Sequence, residues 1–223
     1  MSLPGLVILI SGRGSNALAI AEAIDDGRLP ARIHAVIADR PAAGLARMAD
    51  RGIDTALVPR KSFSAQAPFE RALTEVIESY APGLVALAGF MRVLSADLVT
   101  HFSQRMVNIH PSLLPKYRGL DTHQRALAAA DAEHGASVHW VTPELDAGPV
   151  IAQARVPVRP EDTRETLAER VLEQEHRLYP AALALLIRNP VLDLHDISKH
   201  REPPLLDLSL DAAGHLVEPA GGD

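Results

Sequence analysis

Asn108 and His110 stand two residues apart in the segment Asn108-Ile109-His110-Pro111-Ser112-Leu113-Leu114-Pro115, at the end of an apolar run that begins at Met106. In an extended strand, residues two apart leave on the same face, which pairs a carboxamide with an imidazole and turns Ile109 the other way. Pro111 and Pro115 stop the strand and stiffen the turn. Two such groups at a strand end suit a carbonyl whose oxygen becomes negative during reaction. A lone histidine reads as a satisfied core polar group, but the pair held at a strand end favours function. The candidate carboxylate partner is Asp146, in Glu144-Leu145-Asp146-Ala147-Gly148-Pro149. A carboxylate about 5 Å from an imidazolium attracts it by about 3 kcal/mol at an effective dielectric of 20, enough to favour the charged ring near neutral pH. Without His110, Asp146 would read as a turn-forming residue.

A second cluster is Ser11-Gly12-Arg13-Gly14-Ser15-Asn16. Glycines let a backbone turn tightly and approach an anion, and the helix that follows offers unpaired amides. Ser15 or Asn16 is expected to cap that helix. The same residues admit a rival reading, because Gly12-x-Gly14-x-x-Ala17 matches a dinucleotide fingerprint and Asp39 stands where a ribose-binding acid would lie. Ser15 and Asn16 suit a terminal phosphate better than a pyrophosphate, and on these residues alone the two readings stay close.

The elements that must position these groups alternate in type. Apolar runs at 5–10, 33–38, 56–58, 84–88 and 106–109 predict strands, and helical patterns at 17–26, 44–51, 69–80 and 95–102 lie between them. The clearest stripe is Phe69, Leu73, Val76, Ile77 and Tyr80. Buried strands joined by helices imply an α/β fold with a doubly wound, mostly parallel sheet, whose ligands bind beyond the strands' carboxyl ends. From residue 136 the pattern changes. Runs at 136–141 and 149–158 predict a hairpin or reversed strand. Residues 163–187 predict one long helix with Leu167, Val171, Leu178, Ala181, Ala182 and Leu185 on one face. The tail from Asn189 is expected to form a short strand pair and then fray.

Bulk properties narrow the classes. The chain has 223 residues, 47% hydrophobic, with a net charge of -6 and a pI near 5.9. The acidic balance argues against a nucleic-acid binder. The chain has no cysteine, which removes disulfides, thiolate metal sites and thiol nucleophiles. The start reads as a first strand rather than a signal peptide, and no run approaches the roughly 20 apolar residues of a membrane helix. The histidines show no HExxH spacing, so no metal site is expected, and His195, His200 and His215 read as solvated.

The loop SGRGSN, the segments AGFMRVLS and NIHPSLLPKYRG, and the stretch EHGASVHWVTPELDAGPVIAQ together resemble the phosphoribosylglycinamide formyltransferases, within the wider folate formyltransferase group, collinearly from about Val7 to Pro180. The resemblance implies a Rossmann-like formyltransferase fold. It also implies transfer of a formyl group from 10-formyltetrahydrofolate to the amine of glycinamide ribonucleotide, in cytoplasmic purine (IMP) synthesis, with no metal. Its partners would be small molecules rather than nucleic acid or membrane, and monomer and homodimer both stay open. Asn108, His110 and Asp146 would be catalytic, with Ser137, His139 and Thr142 in support. Gly12, Arg13, Gly14, Ser15, Asn16 and Glu175 would hold the phosphorylated substrate. Met91, Arg92, Val93, Leu94, Asn108, Val141 and Thr142 would line the folate pocket. Gln66 stands where such proteins often carry an arginine near the folate tail, with Arg60 and Lys61 close by. Residues 1–190 would form the catalytic domain, with a substrate half at 1–105 and a catalytic and folate half at 106–190, followed by an extension at 191–223. Another folate formyltransferase or a deformylase, and more remotely an NAD(P)-linked oxidoreductase, are the alternatives.

Overall fold

Six consecutive residues, Gly5–Ile10, form β1 and are buried throughout, as a strand covered on both faces requires. The structure, a computed structural model, describes residues 3–188, 206–210 and 216–217. The chain divides into two compact units: residues 1–108 with 141–143, and residues 109–140 with 144–223.

In the first unit β1 is followed by α1 (Ser15–Asp25), β2 (Arg32–Ala38), α2 (Ala43–Ala49), β3 (Thr55–Leu57), a 3₁₀ turn (Arg60–Ser62), α3 (Gln66–Ser79), β4 (Leu84–Leu87), α4 (Ala96–His101) and β5 (Met106–His110), whose last two residues belong to the second unit. The strands pair in parallel in the order β3-β2-β1-β4-β5. The chain leaves β1 for β2 on one side and reaches β4 on the other. The loops after β1 and β4 therefore flank the switch point where such sheets bind ligands. Phe69, Leu73 and Ile77 of α3 pack on Val7, Leu9, Ile37 and Val85, with Val76 and Tyr80 at the margin. Glu70, on the same helix, is buried; it accepts hydrogen bonds from Gln66 Nε2 and Ser95 N, both at 2.8 Å, which tie α3 to the start of α4.

The expected cap of α1 is not formed by Ser15 or Asn16. Gly14 is the N-cap, in the left-handed region at φ 70, with no side-chain cap bond, a conformation glycine adopts without a Cβ penalty. Both polar residues lie instead in the first turn. The loop is braced from α2: Gly44 N donates to Gly12 O at 3.1 Å. A Cβ on Gly44 would come within 2.5 Å of Ile10 Cδ1 and 3.0 Å of Gly12 O.

The second unit contains α5 (Thr122–Ala128), β6 (Glu133–Trp140), β7 (Val150–Pro157), α6 (Arg164–Arg188), β8 (Leu206–Leu210) and β9 (Leu216–Val217). β6 and β7 run antiparallel with an irregularity at Val138/His139, β8 joins β7 in parallel, and β9 pairs antiparallel with β8. The expected reversal after residue 136 and the strand pair in the tail are both present; the remainder of the tail, including His195, His200 and His215, lies outside the described residues. On α6, Leu167, Val171, Leu178 and Ala182 are buried as expected, whereas Ala181 and Leu185 are half-buried and Tyr179 and Leu183 are enclosed instead. Asp162 precedes α6 and accepts from Arg170 NH1 at 2.7 Å and from Arg159 N at 2.7 Å. The Arg170 guanidinium holds that carboxyl well below the usual carboxylate range. The fold is thus α/β, with mostly parallel strands, the antiparallel pairs β6/β7 and β8/β9, and the long helix α6.

Candidate active site

β5 ends in the residues that drew attention in the sequence. Met106, Val107, Ile109 and His110 are buried and Asn108 is half-buried. Strand alternation sends Asn108 and His110 to the same side. The strand runs one residue further than the apolar pattern predicts and takes in His110 itself.

Within the second unit, His110 Nδ1 lies 3.5 Å from Asp146 Oδ2, with the two side chains 7% and 9% exposed. The other ring nitrogen, Nε2, is 2.9 Å from the carbonyl oxygen of Tyr117. A carbonyl only accepts, so Nε2 is the donor there, and Nδ1 faces a carboxylate. The Nδ1 to Oδ2 separation exceeds an ordinary hydrogen bond. Asp146 sits at φ 47 in the left-handed region, and its Oδ2 accepts the backbone N–H of Gly119 at 2.9 Å. His139, on β6, places Nε2 3.7 Å from Asp146 Oδ1 and directs Nδ1 to the Trp140 carbonyl at 2.9 Å. Burial pushes the His139 imidazole down, outweighing the hydrogen bond to Trp140 and the nearby Asp146 charge. Asp146 thus serves one histidine that meets acceptors on both sides and a second that burial keeps neutral.

Ser137, also expected in support, acts on the loop rather than on the ring. Its fully buried hydroxyl donates to Ser112 O at 2.6 Å and accepts from Leu114 N at 3.0 Å and Gln153 Nε2 at 2.8 Å. Gln153 Nε2 also reaches Leu114 O at 2.9 Å. The turn after His110 is therefore pinned by two side chains of the β6–β7 pair. Glu175 is buried on α6.

In the first unit, residues 12–16 follow β1 and residues 91–94 follow β4. The two loops are joined: Ser11 N donates to Gly89 O at 3.1 Å, and Ser11 Oγ accepts from Met91 N at 2.8 Å. Met91 and Val93 are 65% and 68% exposed, an apolar surface among the described residues. Leu94 and Val141 pack on the core cluster that includes Phe90 and Met106, and Val141 N donates to Met106 O at 2.9 Å. Met91, Arg92 and Val93 border a cavity of about 210 Å³ together with Arg60, Gln66, Phe69 and Glu70. Gln66 Nε2 is spent on Glu70 and on the Val93 carbonyl at 3.2 Å, and Lys61 does not line this cavity. A larger groove of about 850 Å³ lies at the amino ends of β1 and β2, beside Leu3, Arg32 and His34, and contains none of the candidates.

Asp39, the acid on which the dinucleotide reading depends, has a side chain with no exposure and is held by Arg40 NH2 at 3.0 Å and Arg92 Nε at 2.7 Å. Two guanidiniums occupy the oxygens that a ribose would need. The contacts of Tyr117 O, Gly119 N and Gln153 were missed in the sequence, as was the bond from Arg92 to Asp39, although Arg92 itself was expected at the folate pocket.

A model of the formyl transferase family matches residues 5–183, most of this α/β chain. The chain is 47% identical over 180 residues to the phosphoribosylglycinamide formyltransferase of Escherichia coli (strain K12), covering 80% of this chain and 85% of that one. It is 40% identical over 187 residues to the trifunctional purine biosynthetic protein adenosine-3 of Homo sapiens, covering 83% of this chain and 18% of that protein. The solved phosphoribosylglycinamide formyltransferase of Coxiella burnetii, in complex with CHES, has a TM-score of 0.81 and 50% identity, covering 84% of this chain and 89% of that one. The chain belongs to the phosphoribosylglycinamide formyltransferase family.

Proposed function

We propose that this enzyme transfers the formyl group of 10-formyltetrahydrofolate to the primary amine of N1-(5-phospho-D-ribosyl)glycinamide, releasing tetrahydrofolate and formylglycinamide ribonucleotide, as a cytoplasmic step of purine synthesis. The observation that carries the reading is the buried approach of His110 Nδ1 to Asp146 Oδ2 at 3.5 Å, with Asn108 two residues earlier on the same strand. The amine nitrogen attacks the formyl carbon, and the carbonyl π pair moves to oxygen. Asn108 and the His110 Nδ1–H stabilise that oxyanion. The Tyr117 carbonyl fixes the ring at Nε2, so reorganisation during the step is small. Asp146 balances the imidazolium and accepts, through water, the proton that the attacking nitrogen loses. The carbonyl re-forms as the carbon–nitrogen bond to the folate breaks, and that bond's electron pair and a proton go to the folate nitrogen. The backbone at Gly12 and Gly14, with Arg13, Ser15 and Asn16, holds the phosphate, and Glu175 holds the ribosyl-glycinamide end. Met91, Arg92, Val93, Leu94, Val141 and Thr142 line the folate site.

The test is incubation with glycinamide ribonucleotide and 10-formyl-5,8-dideazafolate while the folate product is followed by absorbance. Amine-dependent product supports the proposal. Formate release independent of the amine would mean a deformylase, and no turnover with either acceptor would end the reading.

A further inference from the structure

The catalytic and binding roles proposed above leave Asp39 without a task, yet it is enclosed at the carboxyl end of β2, where a parallel sheet places its ligands. Arg40 Nε reaches both carboxylate oxygens at 3.2 Å and Arg40 NH2 reaches Oδ2 at 3.0 Å, while Arg92 Nε donates to Oδ2 at 2.7 Å. Burial alone would raise this carboxyl, but the hydrogen bonds from Arg40, Ser11 and Arg92 hold it below the usual range. A serine hydroxyl has one proton to give. The Ser11 oxygen accepts from the Met91 N–H at 2.8 Å, which leaves its one proton for the carboxylate that it helps to hold low. The carboxylate thereby fixes the direction of the bond that joins the loop after β1 to the loop after β4, and it also holds the side chain of Arg92 within the second of those loops.

We propose that Asp39 is a positioning residue that locks these two loops at one spacing, so that the phosphate-holding backbone and the folate-lining backbone are set together. The inference rests on the proposed formyl transfer and on the assignment of the two loops to the two substrates. The charge arrangement sharpens it. Two guanidiniums share one carboxylate, with Arg40 44% and Arg92 33% exposed. A neutral residue at 39 leaves the two cations facing each other, and repulsion drives the 91–94 segment outward while Ser11 loses its acceptor.

The test compares Asp39→Asn, the double variant Asp39→Asn/Arg40→Gln, and Ser11→Ala by steady-state kinetics in both substrates, with calorimetric titration of a non-transferable 5,8-dideazafolate. Asp39→Asn is expected to raise KM for both substrates by about tenfold, the scale of one charge-assisted hydrogen bond, with kcat within about threefold. The double variant is expected to recover both KM values to within about threefold, because one cation is gone and the Asn carbonyl still accepts from Arg92. Ser11→Ala, which removes one hydroxyl, is expected to weaken the dideazafolate. A lowered melting temperature with both KM values unchanged would reduce Asp39 to a structural ion pair and overturn the proposal, as would a response confined to one substrate or unchanged dideazafolate binding in Ser11→Ala. Absence of formyl transfer by the unmodified enzyme would instead remove the reading on which it rests.

Discussion

Replacing Asp146 by Asn separates charge from shape at the centre of the candidate site. The amide keeps an oxygen to accept the Gly119 N–H, now at 2.9 Å, and fits the same volume, so the left-handed turn at φ 47 has no new reason to open. The negative charge 3.5 Å from His110 Nδ1 is lost. At an effective dielectric of 20 that attraction is about 5 kcal/mol. The amide dipole retains part of it, and a loss of roughly 3–4 kcal/mol in the transition state corresponds to a fall of about 10²–10³ in kcat. The assay is formyl transfer to glycinamide ribonucleotide at saturating concentrations of both substrates, with circular dichroism and thermal melting as controls for the fold. Turnover within threefold of the parent enzyme, in a variant that melts normally, would refute the claim that this carboxylate supports the imidazolium.

Asn108→Ala should lower kcat by about 10²–10³ with small changes in melting temperature, as the loss of an oxyanion donor does; steady-state kinetics checks it. Ser137→Ala should destabilise the protein by about 1–3 kcal/mol in urea titrations, because it leaves the buried Leu114 N–H without its acceptor. Burial depresses His134 to about 4, and it depresses His123 as well. The unfolded chain therefore binds protons that the folded chain refuses as pH drops below about 6.5. Stability should fall by about 2 kcal/mol for His134 between pH 7 and pH 5, and the slope should flatten in His134→Gln. Asp162→Ala should lower the melting temperature most above pH 4, and the difference from the parent should shrink gradually as pH falls below 4, disappearing only once the strongly depressed folded-state carboxyl is itself protonated.

Much of this was legible because apolar periodicity is a local property. β1 is read at its full length, and the stripe Phe69, Leu73, Ile77 is the buried face of α3. The spacing Asn108-x-His110 also needs only the period of a strand. What escaped depended on backbone groups or on distant residues. The seven-residue α5 begins at a left-handed Asp121 with no side-chain cap, so neither a cap nor a long stripe announces it. Gly14 rather than Ser15 or Asn16 ends the loop, because the turn is decided by the sign of a dihedral angle. The Tyr117 carbonyl and the Gly119 amide are peptide groups whose roles carry no residue-type signature. Arg92 lies 53 positions from Asp39, and only the parallel pairing of β1 with β2 and with β4 brings them within reach.

The contact between Gly44 and the glycine loop has a bearing on redesign. Because a methyl group at 44 would strike Ile10 Cδ1 at 2.5 Å and press on Gly12 O at 3.0 Å, the curvature of the turn proposed to cradle the anion is dictated by a neighbouring helix as much as by the turn's own letters. Grafting the six-letter loop into another scaffold would transplant its composition without its shape unless a bare backbone arrives with it on the adjoining helix. Widening the cradle for a bulkier acidic headgroup would likewise have to begin by retracting α2.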